Sequence, residues 1–168
     1  APLMQSRAGL NVTVGGLLTL RSDNQAFNSQ LNLNGHTLRV ANGGRVSVEV
    51  GSGGGDRAVF GSIENDGVVD VGFDLRLPTG GAVVTNRGDW NVTANAMTMT
   101  SGTFLQNAGS LDVTGAGVAF FDNSAFEMNG GTVSGRPFIR GSALRIADDA
   151  AGAAAFTIGA LGGAQPHP

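Results

Sequence analysis

Carboxylates held at a fixed separation are the first place to look for chemistry. Asp70 and Asp112 occupy equivalent places in Val69-Asp70-Val71 and Leu111-Asp112-Val113, with Asn91 between them in Trp90-Asn91-Val92. If these phrases are neighbouring strands, the backbones of the two acids lie ~9.5 Å apart. That is the wide end of the ~6.5 to 9.5 Å that inverting glycosidases keep between general acid and general base. The same column is more simply a polar ladder facing water. A lyase-type basic cluster is hard to assemble, because the chain has no lysine and its ten basic residues are all scattered arginines.

The other chemistry-bearing residues are weaker candidates. His36 and His167 are far apart in sequence, and His36 in Asn-Gly-His-Thr is most simply a turn residue. Asp148-Asp149 lacks recognisable partners for calcium, and the acidic glycine-rich repeat of calcium-binding solenoids is absent. No metal site and no cofactor is expected. Arg87-Gly88-Asp89 spells an integrin-type tripeptide, but its glycine belongs to a repeated turn. Asn11-Val12-Thr13 and Asn91-Val92-Thr93 match the glycosylation pattern and read as strand residues. Thr98 and Thr100 have no matching threonines in neighbouring repeats, which argues against an ice-binding array.

What positions these residues is an internal repeat. Asn-x-Gly recurs at Asn42/Gly44, Asn65/Gly67, Asn86/Gly88, Asn107/Gly109 and Asn129/Gly131, with spacings of 23, 21, 21 and 22. The fourth residue after each Asn is apolar (Val46, Val69, Trp90, Leu111, Val133), and the fifth is polar (Ser47, Asp70, Asn91, Asp112, Ser134). The sixth is valine in every copy except Gly135. Strict alternation marks a half-buried strand, since successive side chains point to opposite faces. Glycine is expected to supply a positive-φ turn residue, and asparagine to bond the neighbouring backbone. Further alternating runs (LRLP and AVVT, AMTMT and TFLQ, VAFF and AFEM) fill each period.

Three short strands in about 21 to 23 residues make one coil of a parallel β-solenoid, so the chain is expected to be all-β. Helical repeats are longer and avoid frequent glycine, and a β-sandwich has no need of a long-range register. Stacking at ~4.8 Å would align Asn42, Asn65, Asn86, Asn107 and Asn129 as one amide ladder. Trp90 is expected to point inward. The 168 residues read as one domain: N-terminal coils with an insertion over 1–41, regular coils over 42–135, and an irregular segment over 136–168. "DNQAFNSQ" looks like an insertion or a capping turn, and "GSGGGDR" (51–57) like a loop bulging from one corner.

Composition narrows the partners. A net charge of -3 gives no basic footprint for nucleic acid. Apolar runs such as "AAGAAAFTIGALGG" are too short or too glycine-broken to span a bilayer. With no cysteine, disulfides and thiolate metal sites are excluded. The opening "APLMQS" is consistent with a secreted chain whose export signal has been removed.

The phrases "LNLNGHTLRV", "IENDGVVDV" and "LQNAGSLDV" resemble the Gly/Asn-rich repeats of secreted bacterial β-solenoid proteins, such as autotransporter passengers and large adhesins. The resemblance covers roughly residues 10 to 135 and implies an extracellular, repetitive scaffold. It is specific for architecture and says little about activity. Solenoid ends present unpaired strand edges, and natural solenoids cover them with polar caps. Because no polar cap is evident at either end, the expected role is a non-enzymatic building block that adds to copies of itself head to tail. Phe156, Ile158 and Leu161 are the candidate connecting segment. A carbohydrate-binding or carbohydrate-active β-helix is the alternative, and a monomeric adhesin fragment the second.

Overall fold

The computed structural model describes residues 3–5, 11–23, 28–78, 80–141 and 143–147. The described residues contain strands and turns without a helix, and every strand pairing is parallel. The chain is a single-domain β-solenoid of about six turns, as the repeat predicts. Each regular coil lays down three short strands, and each strand pairs with its equivalent one coil away.

Three faces result. The first is a separate six-stranded sheet of Leu17–Leu20, Arg45–Val48, Val68–Val71, Asp89–Val92, Ser110–Val113 and Thr132–Ser134. The second carries Leu75–Pro78, Ala96–Thr100, Val118–Asp122 and Pro137–Arg140. The third carries Val12–Val14, Val83–Asn86, Thr103–Gln106, Ala125–Met128 and Ala143–Ile146. Near the N-terminus two long strands, Ser29–Val40 and Arg57–Asn65, pass through both of the latter faces. They join those faces into one twelve-stranded sheet. Each is broken where it rounds the corner: the register shifts between Asn32 and Thr37, and Asn34, Gly35 and Gly61 have positive φ. His36 sits in this kink.

The interior follows the alternation. Val46, Val69, Trp90, Leu111 and Val133 stack inward on the first face, while Ser47, Asp70, Asn91, Asp112 and Ser134 stack outward. Trp90 is fully buried, and its ring lies edge-on to Phe104 at 5.5 Å. Phe104 in turn stacks on Phe126 and meets Phe121 edge-on. Offset and edge-to-face contacts of this kind add to the burial of apolar area. Met97 and Met99 also point inward, which puts Thr98 on the outer surface.

The repeated glycine has a more specific cause than a generic turn. The carbonyl of each glycine accepts the N–H that opens the next coil's strand: Val68 N–H to Gly44, Asp89 N–H to Gly67, Ser110 N–H to Gly88 and Thr132 N–H to Gly109. A Cβ at Gly67 would stand 2.3 Å from the Gly44 carbonyl oxygen, and one at Gly88 would stand 2.1 Å from that of Gly67. No side chain fits that space. Positive φ, the expected reason, holds at Gly109 and Gly131 but not at Gly44, Gly67 or Gly88.

The asparagines do not form the single ladder expected of them. Only Asn65 and Asn86 point into the core, where they share a column with Val40, Gln106 and Met128. Asn65 Nδ2 donates to Asn86 Oδ1 at 2.7 Å, and Asn86 Nδ2 to Gln106 Oε1 at 2.9 Å, all three residues being fully buried. Asn107 and Asn129 make a separate, exposed pair at 2.9 Å, and Asn42 lies exposed. Turn length is the reason. Two residues separate the inward side chain from the following strand at Asn65 and Asn86, but three do so at Gln106 and Met128 and four at Val40. An Asn two places before the glycine therefore falls inside only where the turn is shortest.

The stack also runs further than 135. Pro137–Arg140 pairs with Val118–Asp122, and Ala143–Ile146 with Ala125–Met128, so two faces continue to Ile146. The short runs PFIR and ALRI have too little alternation to be recognised beyond the last Asn-x-Gly. Phe156, Ile158, Leu161, His167 and Asp148-Asp149 lie outside the described residues.

Candidate functional site

The corner between the first and second faces is closed in the later coils by short links, 72–74, 93–95, 114–117 and 135–136. In the two N-terminal coils the same corner takes 21–28 and 49–56. The described parts of these two long links are tied together as one ledge. Ser52 donates from its N–H to Asp23 Oδ1 and from its Oγ to the Asp23 carbonyl. Gly53 N–H reaches the Ser22 carbonyl, and Asp56 N–H reaches Asn28 Oδ1. A Cβ on Gly51 would lie 2.1 Å from the Ser22 carbonyl oxygen, so glycine is required for the two layers to touch.

Arg57 pins this ledge to the core. It occupies an inward position, in register with Leu75, and is fully buried. Its Nε donates to the Glu49 carbonyl at 3.0 Å, its Nη1 to the Gly54 and Gly55 carbonyls, and its Nη2 to the Val50 carbonyl. The guanidinium carbon stands 4.4 Å from the centre of the Phe73 ring. Loss of water pushes the Arg57 pKa down, while Asp23, Asp74 and Asp56 oppose that shift through their charge. The guanidinium remains protonated. Carbonyl dipoles and an aromatic face thus take the place of water around a buried cation. In sequence, "GSGGGDR" shows only a loop bulging from one corner; the signal for the pin is an arginine at the first inward position after a glycine-rich loop.

Beside the ledge, on the outer side of the first face, lies a groove of about 560 Å3. Arg21, Arg45, Ser47, Glu49, Asp70 and Thr93 supply its polar groups, and Val48, Val50, Gly51 and Gly72 complete its walls. The charges are matched in pairs: Arg45 Nε is 2.6 Å from Asp70 Oδ2, and Arg21 Nη1 is 3.6 Å from Glu49 Oε2. Arg21 also bonds Asp23 at 2.7 Å. That bond raises the Arg21 pKa and lowers that of Asp23. Asp70 Oδ1 accepts from Asn91 Nδ2 at 2.9 Å, while its buried Oδ2 has the ion pair with Arg45 but no hydrogen-bond donor, and Ser47 Oγ donates to Glu49 at 3.0 Å.

A second cluster lies on the third face around Asp66. Arg87 Nε donates to Asp66 Oδ1 at 2.6 Å, and Arg39 Nη2 to Oδ2 at 3.3 Å. The hydrogen bond from Arg87 holds the Asp66 carboxyl below its usual value and raises the Arg87 pKa. Arg87-Gly88-Asp89 is therefore engaged within the stack: Arg87 pairs with Asp66, Gly88 lies against the Gly67 carbonyl, and Asp89 accepts from Ser110.

Asp70 and Asp112 do share the outward column, with Asn91 between them. Asp70 is paired with Arg45 and accepts from Asn91, and Asp112 accepts from Ser134 Oγ at 2.7 Å. Among the described residues no three His, Cys, Asp or Glu side chains gather as a metal site. Comparison with family models, with curated proteins and with solved structures finds no match. The chemistry of the groove has to be read from its own residues.

Proposed function

We propose that the chain is a non-enzymatic, extracellular structural protein that adds end to end to copies of itself, forming a filament, sheath or matrix. Three large apolar side chains are exposed among the described residues: Leu17 at 68%, Ile146 at 53% and Val50 at 55%. The first two lie at opposite ends of the stack. Among the described residues, Leu17 belongs to the first strand of the first face, where it points outward in the column of Arg45, and Ile146 to the last strand of the third. Ile146 also continues the core column of Gln106 and Met128, so among the described residues this core column ends on a half-exposed apolar side chain. This is the observation that carries the proposal.

Strand geometry supports it. All pairings are parallel, so a second copy placed on the axis would meet the end strands in the direction the stack already uses. A contact between two different ends does not close on itself and yields a fibre. The outward arginines and carboxylates are largely spent on one another along the stack, as in Arg140 with Asp122 and Arg145 with Glu127, which suits a scaffold.

Sedimentation and negative-stain microscopy of the full chain test this, compared with Leu17→Arg and Ile146→Arg. Concentration-dependent filaments that either substitution abolishes are expected. A monomer at every concentration would overturn the proposal and favour a monomeric adhesin.

A further inference from the structure

We infer that the groove between the ledge and the first face is a lateral binding site for a neutral saccharide. Val50 is the one exposed large apolar side chain among the described residues that lies away from the ends of the stack, and it lines this groove. The inference goes beyond self-assembly, because the site opens on the side of the stack.

The first support is how the site is built. A corner that the later coils close in two to four residues takes eight in 21–28 and eight in 49–56. The second of these links contains four glycines, Gly51, Gly53, Gly54 and Gly55. The ledge also requires a guanidinium to be buried in the core, where desolvation opposes its charge. Nothing in the stacking of coils demands this, since the next corner is closed by 72–74 alone. The result is a rigid wall raised beside a sheet whose outward residues are polar.

The second support is the charge pattern. Arg21 and Arg45 carry two positive charges into the groove, and Glu49 and Asp70 two negative ones, in pairs. An anionic ligand would have to approach two carboxylates, and a cationic one two guanidiniums. A neutral polyhydroxyl ligand meets neither penalty, because each hydroxyl is both donor and acceptor. It can accept from an arginine and donate to the neighbouring carboxylate. The Ser47 and Thr93 hydroxyls add partners of the same kind, and Val50 beside Gly51 and Gly72 offers a small apolar surface to the C–H face of a sugar ring.

A panel of short neutral oligosaccharides (gluco-, manno-, galacto- and xylo-oligomers), alongside oligogalacturonate and sulfated oligomers, would be screened against the full chain by array and then by calorimetry. Saturable binding of a neutral member is expected, with little dependence on salt or divalent cation. Arg45→Ala and Thr93→Arg should each weaken it at least tenfold, the latter by filling the groove from an exposed position. Asp112→Asn, in the same outward column but outside the groove, should leave affinity unchanged. Absence of binding by every neutral oligomer, preference for the anionic ones, or binding that survives Thr93→Arg in a folded protein would each overturn the inference. Loss of filaments without loss of binding would instead count against assembly alone.

Discussion

Replacing Asn86 by alanine isolates the buried amide ladder. The substitution removes donations to Gln106 Oε1 at 2.9 Å and to the Ser110 carbonyl at 2.8 Å, and the acceptor for Asn65 Nδ2 at 2.7 Å. Asn65 Nδ2 keeps the Asp89 carbonyl at 3.1 Å, so the buried Gln106 Oε1 is left without this donor and the part-buried Ser110 carbonyl loses one bond. An orphaned buried group costs about 1 to 3 kcal/mol, and the vacated volume adds to this. A loss of about 4 kcal/mol is therefore expected, a large part of the roughly 5 to 15 kcal/mol of a typical domain. Asn129→Ala breaks a similar amide pair at 2.9 Å, but an exposed one, and should stay within about 0.5 kcal/mol. Because Asn86 and Gln106 lose the same bond, the Asn86→Ala/Gln106→Ala cycle should depart from additivity by about 1 to 2 kcal/mol. Denaturant unfolding followed by the fluorescence of Trp90, the sole tryptophan and fully buried, reads the parent chain and all four variants. Equal costs for Asn86→Ala and Asn129→Ala, or an additive cycle, would refute the reasoning.

Three further outcomes follow from the same geometry. Gly88→Ala should destabilise by at least about 3 kcal/mol, because its Cβ would meet the Gly67 carbonyl oxygen at 2.1 Å; Gly54→Ala, with open space around it, should change stability by less than about 1 kcal/mol. Arg57→Met keeps the buried bulk but removes every donation to the ledge carbonyls. Amide exchange over 49–56 should then accelerate while strands beyond residue 89 stay protected, and unchanged exchange would refute the pin. Asp66 titrates below its usual value when folded, chiefly through its bond to Arg87. Its contribution is therefore fully present above the ordinary aspartate range and lost as pH falls through the lowered value. Asp66→Asn should flatten that part of an acid-unfolding curve and leave the alkaline side unchanged, since arginine keeps its proton there.

The coil and its three strands were legible because alternation and a fixed glycine spacing are both consequences of stacking: Val69-Asp70-Val71 and Leu111-Asp112-Val113 repeat since each must present the same faces. The glycine column was legible as a column, though its cause is contact between coils rather than turn conformation at Gly67 and Gly88. The amide ladder was only half legible. A turn one residue longer puts Gln106 in the core position and Asn107 outside it, and turn length does not show in an Asn-x-Gly count. The groove was not legible, because it depends on two loops far apart in sequence meeting at one corner and on Arg57 turning inward. Asp70 drew attention as half of a carboxylate pair, whereas its structural partners are Arg45 and Asn91.

End-to-end stacking is tested most directly by diffraction from aligned filaments of the full chain. Copies that continue the solenoid predict a strong reflection near 4.8 Å along the fibre axis. About six turns per subunit then give a subunit repeat of roughly 30 Å on the same axis. Filaments whose 4.8 Å direction lies across the axis, or a chain that stays monomeric with Leu17 and Ile146 intact, would contradict it.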